Sequence, residues 1–281
     1  MNASPPIGLV EAPPLLEVTG LRKAYGDGGF FSRRRHHALD DVSLTLRASD
    51  GRVLSIVGES GSGKTTLARV ILRLVTADAG EVRVEGHPIV SRGNPVVDQR
   101  TLRHLVQPIF QNPFETFSLH LPVDSYLFRT AANLRSAHTR TDLESAVSEA
   151  LEAVGLTYSK VAGRGIRAFS GGELQRIAIA RALIAKPRLI VADEPVSMVD
   201  ASLRTTIVNL FKELASKLDV AFVYITHDLS TAYYLSDLMA IMKSGKLVDF
   251  GRPDAIIDNP NADYTRALID AIPTLGRKWA I

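Results

Sequence analysis

Eight consecutive residues carry the first recognisable chemistry. Gly58-Glu59-Ser60-Gly61-Ser62-Gly63-Lys64-Thr65 fits the pattern G-x-x-x-x-G-K-[ST] without a mismatch. Glycines at these positions let the backbone curl so that successive N–H groups point inward at phosphate oxygens. A helix that starts at the end of the loop adds a partial positive charge in the same place. Lys64 is spaced to reach β- and γ-phosphates, the Thr65 hydroxyl to ligate Mg²⁺, and Thr66 continues the same binding stretch. Such a loop alone says nucleotide and no more, because kinases, GTPases, helicases and transport ATPases all use it.

Two later segments complete a candidate site. Leu189-Ile190-Val191-Ala192 is an apolar run that ends in Asp193-Glu194. A buried strand that delivers Asp193 to its tip can hold the Mg²⁺ shell, and Glu194, one residue on, can polarise an attacking water. In Phe169-Ser170-Gly171-Gly172-Glu173-Leu174-Gln175-Arg176, Ser170 and Glu173 have capping-box spacing. Ile177, Ala180, Leu183 and Ile184 continue at helical period. Two glycines in a first turn cost about 1 kcal/mol each against alanine. They make sense where a phosphate must approach that backbone closely, which implies a second anion-binding helix terminus.

These residues need elements to hold them. Val53–Val57 is short and mostly apolar, the mark of a buried strand, and it leads straight into the glycine loop. Leu67, Val70, Ile71 and Leu74 then recur at helical spacing. Leu16, Val18 and Leu21, and later Val42, Leu44 and Leu46, alternate as strands, with Gly26–Gly29 as a break and Arg33–His37 as a polar loop. Asp50-Gly51 marks a turn. Residues 142–154 form an amphipathic helix with Leu143, Ala146, Val147, Ala150, Leu151 and Val154 on one face. Thr141 with Glu144 supplies its capping box and Gly155 its stop. Val220–Ile225 reads as a strand, and Met239–Met242 with Lys246–Phe250 as a hairpin across Ser244-Gly245.

Composition sets outer bounds. The 281 residues carry a formal charge of +3 and no cysteine. That excludes disulfides, thiolate zinc sites and thiol nucleophiles, and the charge is too small to argue for nucleic acid. The N-terminal segment has no basic region followed by an apolar core, so it does not read as a secretory signal. No stretch approaches the ~18 apolar residues that span a bilayer, so work at a membrane requires docking on another chain.

Taken together, the segments resemble the ABC ATPase superfamily over residues 15–270. Phe169–Glu173 is similar to its LSGGQ signature, with Phe for Leu and Glu for Gln. The resemblance implies that the signature of one subunit closes over ATP held by the phosphate loop of another, so that two chains form two composite sites. It implies that Tyr25 stacks on adenine. It implies that Gln111, in Phe110-Gln111-Asn112-Pro113, senses Mg²⁺ and the γ-phosphate. Asp200, in Ser197-Met198-Val199-Asp200, matches the D-loop, and His227, in Ile225-Thr226-His227-Asp228, the switch histidine.

The fold implied is α/β, a P-loop NTPase with a RecA-like core, an antiparallel β lobe and an inserted α-helical lobe. The expected division is a flexible tail over 1–14, the ATPase domain over 15–255 with its helical lobe at about 112–187, and a C-terminal tail over 256–281. Repair members of the superfamily carry coiled-coil or cysteine-rich insertions, translation members fuse two ATPase units, and exporters fuse membrane helices; this sequence shows none of these. Val57–Ser60, the long helical lobe and Asn259–Leu268 are similar to the oligopeptide/dipeptide/nickel importer family, whose tail follows P-x-x-x-Y-T-x-x-L…P.

That family's organisation implies a second ATPase subunit, identical or paralogous, two membrane permeases, an extracytoplasmic substrate-binding protein reached indirectly, and a peripheral place on the cytoplasmic membrane face. Phe114–His120 departs from the family's usual Ser-Leu-Asn-Pro, in the lobe that meets the permease's coupling helix. Pro195–Asp200 looks more like the oligosaccharide-importing subgroup, so oligosaccharide import stands as an alternative, as does a soluble ABC ATPase of assembly or repair.

Overall fold

The computed structural model describes residues 12–26, 35–135 and 139–272. The expected tail over 1–14 therefore lies mostly outside the described residues, as do Asp27–Gly29, Arg33, Arg34 and Pro273. The chain opens with β1 (Leu16–Gly26), β2 (Arg35–Leu46) and β3 (Val53–Val57), then α1 (Lys64–Ile71). Next come β4 (Ala79–Val84), β5 (His87–Ser91), β6 (Asn94–Pro95), α2 (Gln99–Leu105) and β7 (Val106–Ile109). A run of helices follows: α3 (Pro113–Thr116), α4 (Val123–Leu134), α5 (Arg140–Ala153), α6 (Tyr158–Val161) and α7 (Gly171–Ile184). The chain returns through β8 (Leu189–Asp193), α8 (Ala201–Lys217), β9 (Ala221–Thr226), α9 (Leu229–Leu235), β10 (Leu238–Lys243) and β11 (Lys246–Gly251). It ends with α10 (Pro253–Asp258) and α11 (Asp263–Asp270).

Two sheets organise these elements. One is antiparallel, in the order β2-β1-β4-β5-β6. The other runs β11-β10-β3-β9-β8-β7, with β10, β3, β9, β8 and β7 mutually parallel. Parallel strands buried on both faces are mostly apolar, and β3 and β9 are buried at every position, with only Ser55, Tyr224 and Thr226 carrying polar groups. Because the strands are parallel, their C-terminal ends gather on one edge. The glycine loop leaves β3 there, Asp193 ends β8, His227 follows β9, and Gln111 follows β7. The helices α3–α7 lie between β7 and β8 in the chain and pack on one another and on the core through Leu127, Val147, Leu151, Leu174 and Ile177, all fully buried.

Most local expectations are met, with three differences. α5 is capped by Thr139, whose hydroxyl accepts from Asp142 N–H while the Asp142 carboxylate accepts from Thr139 N–H. The box is thus two residues earlier than Thr141 with Glu144, and Glu144 instead pairs with Arg140 at 2.9 Å. The buried face begins with Ala146, so an extra half-turn of polar residues fits before it without cost to packing. α1 stops at Ile71 because Arg73 turns to φ 54°, which leaves Leu74 exposed beyond the helix rather than on its apolar face. Third, Arg35–His37 belong to β2 and not to a loop, because Ala24 and Tyr25 offer backbone partners to His37 and His36.

Candidate functional site

The glycine loop is built by steric exclusion. An added Cβ on Gly58 would meet the Met242 carbonyl at 2.3 Å, and one on Gly63 would meet the Ala38 carbonyl at 2.3 Å. Gly63 also sits at φ 107°, a conformation that side chains disfavour. The loop is thus wedged between β10 and β2, and the apolar residues Leu67, Val70 and Ile71 anchor α1 behind it. Burying each such side chain is worth about 1.5–3 kcal/mol, enough to hold a strained loop in place.

Lys64 is buried and folds back over the loop. Its ammonium donates to the Gly58 carbonyl at 2.6 Å and to the Glu59 carbonyl at 2.8 Å. Burial draws its pKa below the ordinary lysine value, against the pull of Glu194, Asp193 and Glu59. Asp193 shows the opposite effect: burial, then the Glu194 charge beside it, raises its carboxyl above the usual range, while a hydrogen bond from Thr65 and the charges of Arg69 and Lys64 oppose the rise. One Asp193 oxygen, Oδ1, is buried without a partner, and so is Ser62 Oγ.

An orphaned carboxylate oxygen beside a threonine hydroxyl fits a hard divalent cation. Among the described residues no group of three or more His, Asp or Glu converges to hold a metal by itself. Mg²⁺ keeps waters and phosphate oxygens in its shell and takes only one or two protein ligands.

Glu194 lies at φ 45°, a left-handed conformation unusual for a residue with a side chain. Its N–H donates to the Ile225 carbonyl at 3.0 Å, and its carbonyl accepts from Ser197 N–H and Oγ. Its carboxylate lies 3.2 Å from His227 Nδ1. Strain held this firmly is found where a side chain must be aimed, and here it aims a carboxylate from the strand tip toward an exposed histidine. Gln111 is exposed and lines a cleft of about 660 Å³ together with Thr65, Arg69, Asp193, Arg181 and Met198. The structure thus brings Lys64, Thr65, Gln111, Asp193, Glu194 and His227 to one edge.

The remaining site residues stand apart from that cluster. Tyr25 is the last residue but one of β1 and is 40% exposed, with the Lys23 ammonium 5.4 Å from its ring centroid. It pairs across to His36 on β2, the strand whose Ala38 carbonyl abuts Gly63. Ser170 caps α7: its hydroxyl accepts from Glu173 N–H at 3.3 Å, and the Glu173 carboxylate accepts from Ser170 N–H at 2.9 Å. Within the chain this turn packs on the Met198–Leu203 segment. A Cβ on Gly171 would sit 3.5 Å from the Met198 carbonyl, and one on Gly172 would sit 3.0 Å from Leu203 Cδ1. Gly172 is therefore also a packing glycine, which close phosphate approach alone does not explain. Asp200 is the N-cap residue of α8, exposed, and makes no side-chain cap hydrogen bond.

Sequence reasoning missed two residues. Arg181 lines the cleft and donates to the carbonyl of Pro108, the last residue but one of β7, at 3.0 Å. Burial lowers its pKa, and its Nε has no partner. It stands one turn after Ile177 on the apolar side of α7, and a charge at that position was the available signal. Tyr264, on α11, accepts a hydrogen bond from Glu59 N–H in the glycine loop at 3.0 Å.

Comparison with known proteins follows the same lines. The family model described as ABC transporter matches residues 39–197. A Brucella ovis protein named for peptide import ATP binding is 36% identical over 261 residues, 93% of this chain and 79% of that protein. The oligopeptide transport ATP-binding protein AppF of Bacillus subtilis is 34% identical over 270 residues, 95% of this chain and 80% of that protein. The dimeric post-hydrolysis structure of the ATP-binding cassette MJ0796 with ADP and Pi superposes with a TM-score of 0.70 at 25% identity, covering 85% of this chain and 98% of that one. With the phosphate loop, the acidic strand tip and the signature turn on one scaffold, and with these relatives spanning nearly its whole length, the chain belongs to the ABC transporter family.

Proposed function

We propose that this ATPase is the motor subunit of a membrane importer of oligopeptides or dipeptides, working as a pair of ATPase subunits beneath two permeases. One observation carries the reading: relatives 34–36% identical over 93–95% of the chain are named for peptide import or oligopeptide transport. Among the described residues no helix is long and apolar enough to cross a membrane, in keeping with a peripheral place on the cytoplasmic face. The exposed apolar residues Leu74 and Phe110 at the cleft, with Phe114 and Leu119 just beyond, offer a surface for a permease segment.

The proposed roles follow from position. Loop amides and Lys64 hold the β- and γ-phosphates, and Lys64 exchanges the loop's own carbonyls for phosphate oxygens. Thr65 and Asp193 would hold Mg²⁺, with Gln111 facing the same cleft; the ion would neutralise charge on the β- and γ-phosphates. Glu194 accepts a proton from the attacking water as His227 steadies the γ-phosphate. Tyr25 stacks on adenine. Ser170, Gly171 and Gly172 meet the ATP of the second subunit, with Asp200 at the shared boundary.

The test is purification of the tagged chain from solubilised membranes. A polytopic permease should come with it, and the complex's ATPase rate should rise with peptide-loaded binding protein. Stimulation by oligosaccharide would redirect the cargo. A soluble partner with no permease would overturn the importer reading.

A further inference from the structure

The tail helix α11 is hydrogen-bonded to the phosphate loop through Tyr264, and the contact falls on a peptide that Lys64 also holds. In the Gly58–Glu59 peptide, the carbonyl of Gly58 accepts from Lys64 Nζ at 2.6 Å, while the N–H of Glu59 donates to Tyr264 Oη at 3.0 Å. A trans peptide points its C=O and N–H in opposite directions. The plane is therefore clamped from both sides, by the lysine inside the loop and by the tail outside it. A loop this rich in glycine has little intrinsic resistance to a peptide flip, so the outer clamp matters.

The tail is firmly seated. Asp249, buried on β11, accepts from Asn261 N–H at 3.0 Å, Asn261 Nδ2 at 2.8 Å, Ala262 N–H at 3.2 Å and the Thr265 hydroxyl. Tyr264, Leu268, Ile269 and Ile272 pack against an apolar cluster made of Val57, the last residue before the loop, with Leu229, Ala232, Met239, Ile241 and Ile256. The Lys243 ammonium lies 4.6 Å from the Tyr264 ring centroid and fixes the ring from the strand that abuts Gly58. These contacts leave the phenol oxygen one place to be.

We propose that Tyr264 is a positioning residue of the nucleotide site: by fixing the Gly58–Glu59 peptide it sets where Lys64 stands before ATP arrives, and so makes the C-terminal tail part of the phosphate-binding apparatus. This rests on the reading of Gly58–Thr65 as the ATP phosphate site. A Tyr264→Phe variant keeps the ring's packing and its cation contact and removes only the acceptor. In the full chain, Tyr264→Phe should bind MgATP about three- to tenfold more weakly, the range of one neutral hydrogen bond.

Its melting temperature should stay near that of the parent, KM for ATP should rise while kcat holds, and the Glu59 amide should exchange with solvent at least about tenfold faster. Unchanged MgATP affinity by calorimetry overturns the proposal. So does weaker binding with an unchanged Glu59 amide, since the effect would then reach the site by another route. Lys64→Ala run alongside separates the two readings: tight MgATP binding retained there would remove the phosphate-site assignment itself, whereas binding lost there and unaltered in Tyr264→Phe would remove only the role of Tyr264.

Discussion

The phosphate loop and the signature turn are both glycine-bearing helix starts, and the chain treats them in opposite ways. α1 begins at Gly63 with no side-chain cap, so its first amides are left for a ligand. α7 begins at Ser170 with a complete capping box, its third amide and its cap amide already bonded. Around the loop, buried polar atoms stand unpaired at Ser62 and Asp193 and the pKa values of Lys64 and Asp193 are displaced. Around the signature turn, Ser170 and Glu173 are exposed, and the Glu173 carboxyl is held below the usual range by the Ser170 N–H and hydroxyl. The loop is strained and keeps buried polar atoms without partners. The other helix start has its cap bonds made within the chain, with Ser170 and Glu173 at the surface and the unpaired side-chain amide of Gln175 buried one turn further into the helix. On the proposed reading, the difference teaches that the chain binds ATP at the first alone and needs a second subunit to use the other.

The comparison can be broken at several points. The largest effect is expected from Glu194→Gln, which removes the proton acceptor on the loop side while leaving the binding surface. ATP binding should persist and kcat should fall by about 10²–10⁴, the usual worth of a general base. ATP-bound dimers should accumulate in size-exclusion profiles, and normal turnover would place the chemistry elsewhere. Lys64→Ala should weaken MgATP binding by about 100-fold, as charge-assisted contacts to phosphate are lost. Calorimetry that shows the parent affinity would remove the contrast between the two helix starts.

Gly171→Asp tests the signature side. Gly171 is the better position than Gly172, because its added Cβ meets only an ordinary contact at 3.5 Å whereas Leu203 crowds Gly172 at 3.0 Å. The variant should bind MgATP within about twofold of the parent and lose ATP-driven pairing by at least about tenfold, since an anion then faces the partner's triphosphate. Mixing Gly171→Asp with Lys64→Ala subunits should restore part of the activity, because both lesions fall in one of the two composite sites. If the pairing partner is a paralogue, the lysine change belongs in that chain.

The smallest effect concerns stability without nucleotide. The folded-state pKa of Asp193 lies above its unfolded value, so the folded chain keeps that proton longer. The stability it contributes is present below the usual carboxylate range and declines as pH rises through the raised value. Asp193→Asn should flatten this slope and raise the melting temperature of the nucleotide-free chain by about 2 °C at neutral pH, the shift that roughly 1 kcal/mol produces at this size. The same scan with MgATP should show the parent gaining more than the variant. A variant that melts lower than the parent without nucleotide would mean that the Asp193 carboxylate is not under strain.

Local patterns are readable where one residue type has one use. The eight-residue loop, the apolar run ending in Asp193-Glu194, the Ser170–Glu173 box and the β10–β11 hairpin all stand where periodicity and turn chemistry put them. The box of α5 falls elsewhere than expected because Thr139, Thr141, Asp142 and Glu144 offer two solutions with the same spacing. The structure takes the earlier one, with Thr139 and Asp142 bonded to each other's N–H groups. The apolar period overextends α1 because Leu74 keeps helical phase, while the chain has already turned left-handed at Arg73. The proposed roles of Tyr25, Gln111, Asp200 and His227 are legible only through a family resemblance, since a single residue near a strand end or in a loop carries no period.

By itself the sequence determined the parts that a few adjacent residues specify: a phosphate-cradling loop, a carboxylate pair at a strand tip, a capped helix start and the strands and helices that carry them. These depend on short-range sterics and hydrogen bonding, which operate between neighbours in the chain. Tertiary structure alone decided what meets what. The parallel order β10-β3-β9-β8-β7 brings Lys64, Gln111, Asp193 and His227 to one edge from four separate strands. It also turned Glu194 into a left-handed conformation aimed at His227, and it set Tyr264 against the amide of Glu59 across 205 residues of sequence. Those contacts follow from which surfaces must be buried together, and that is a property of the whole chain that no local window contains.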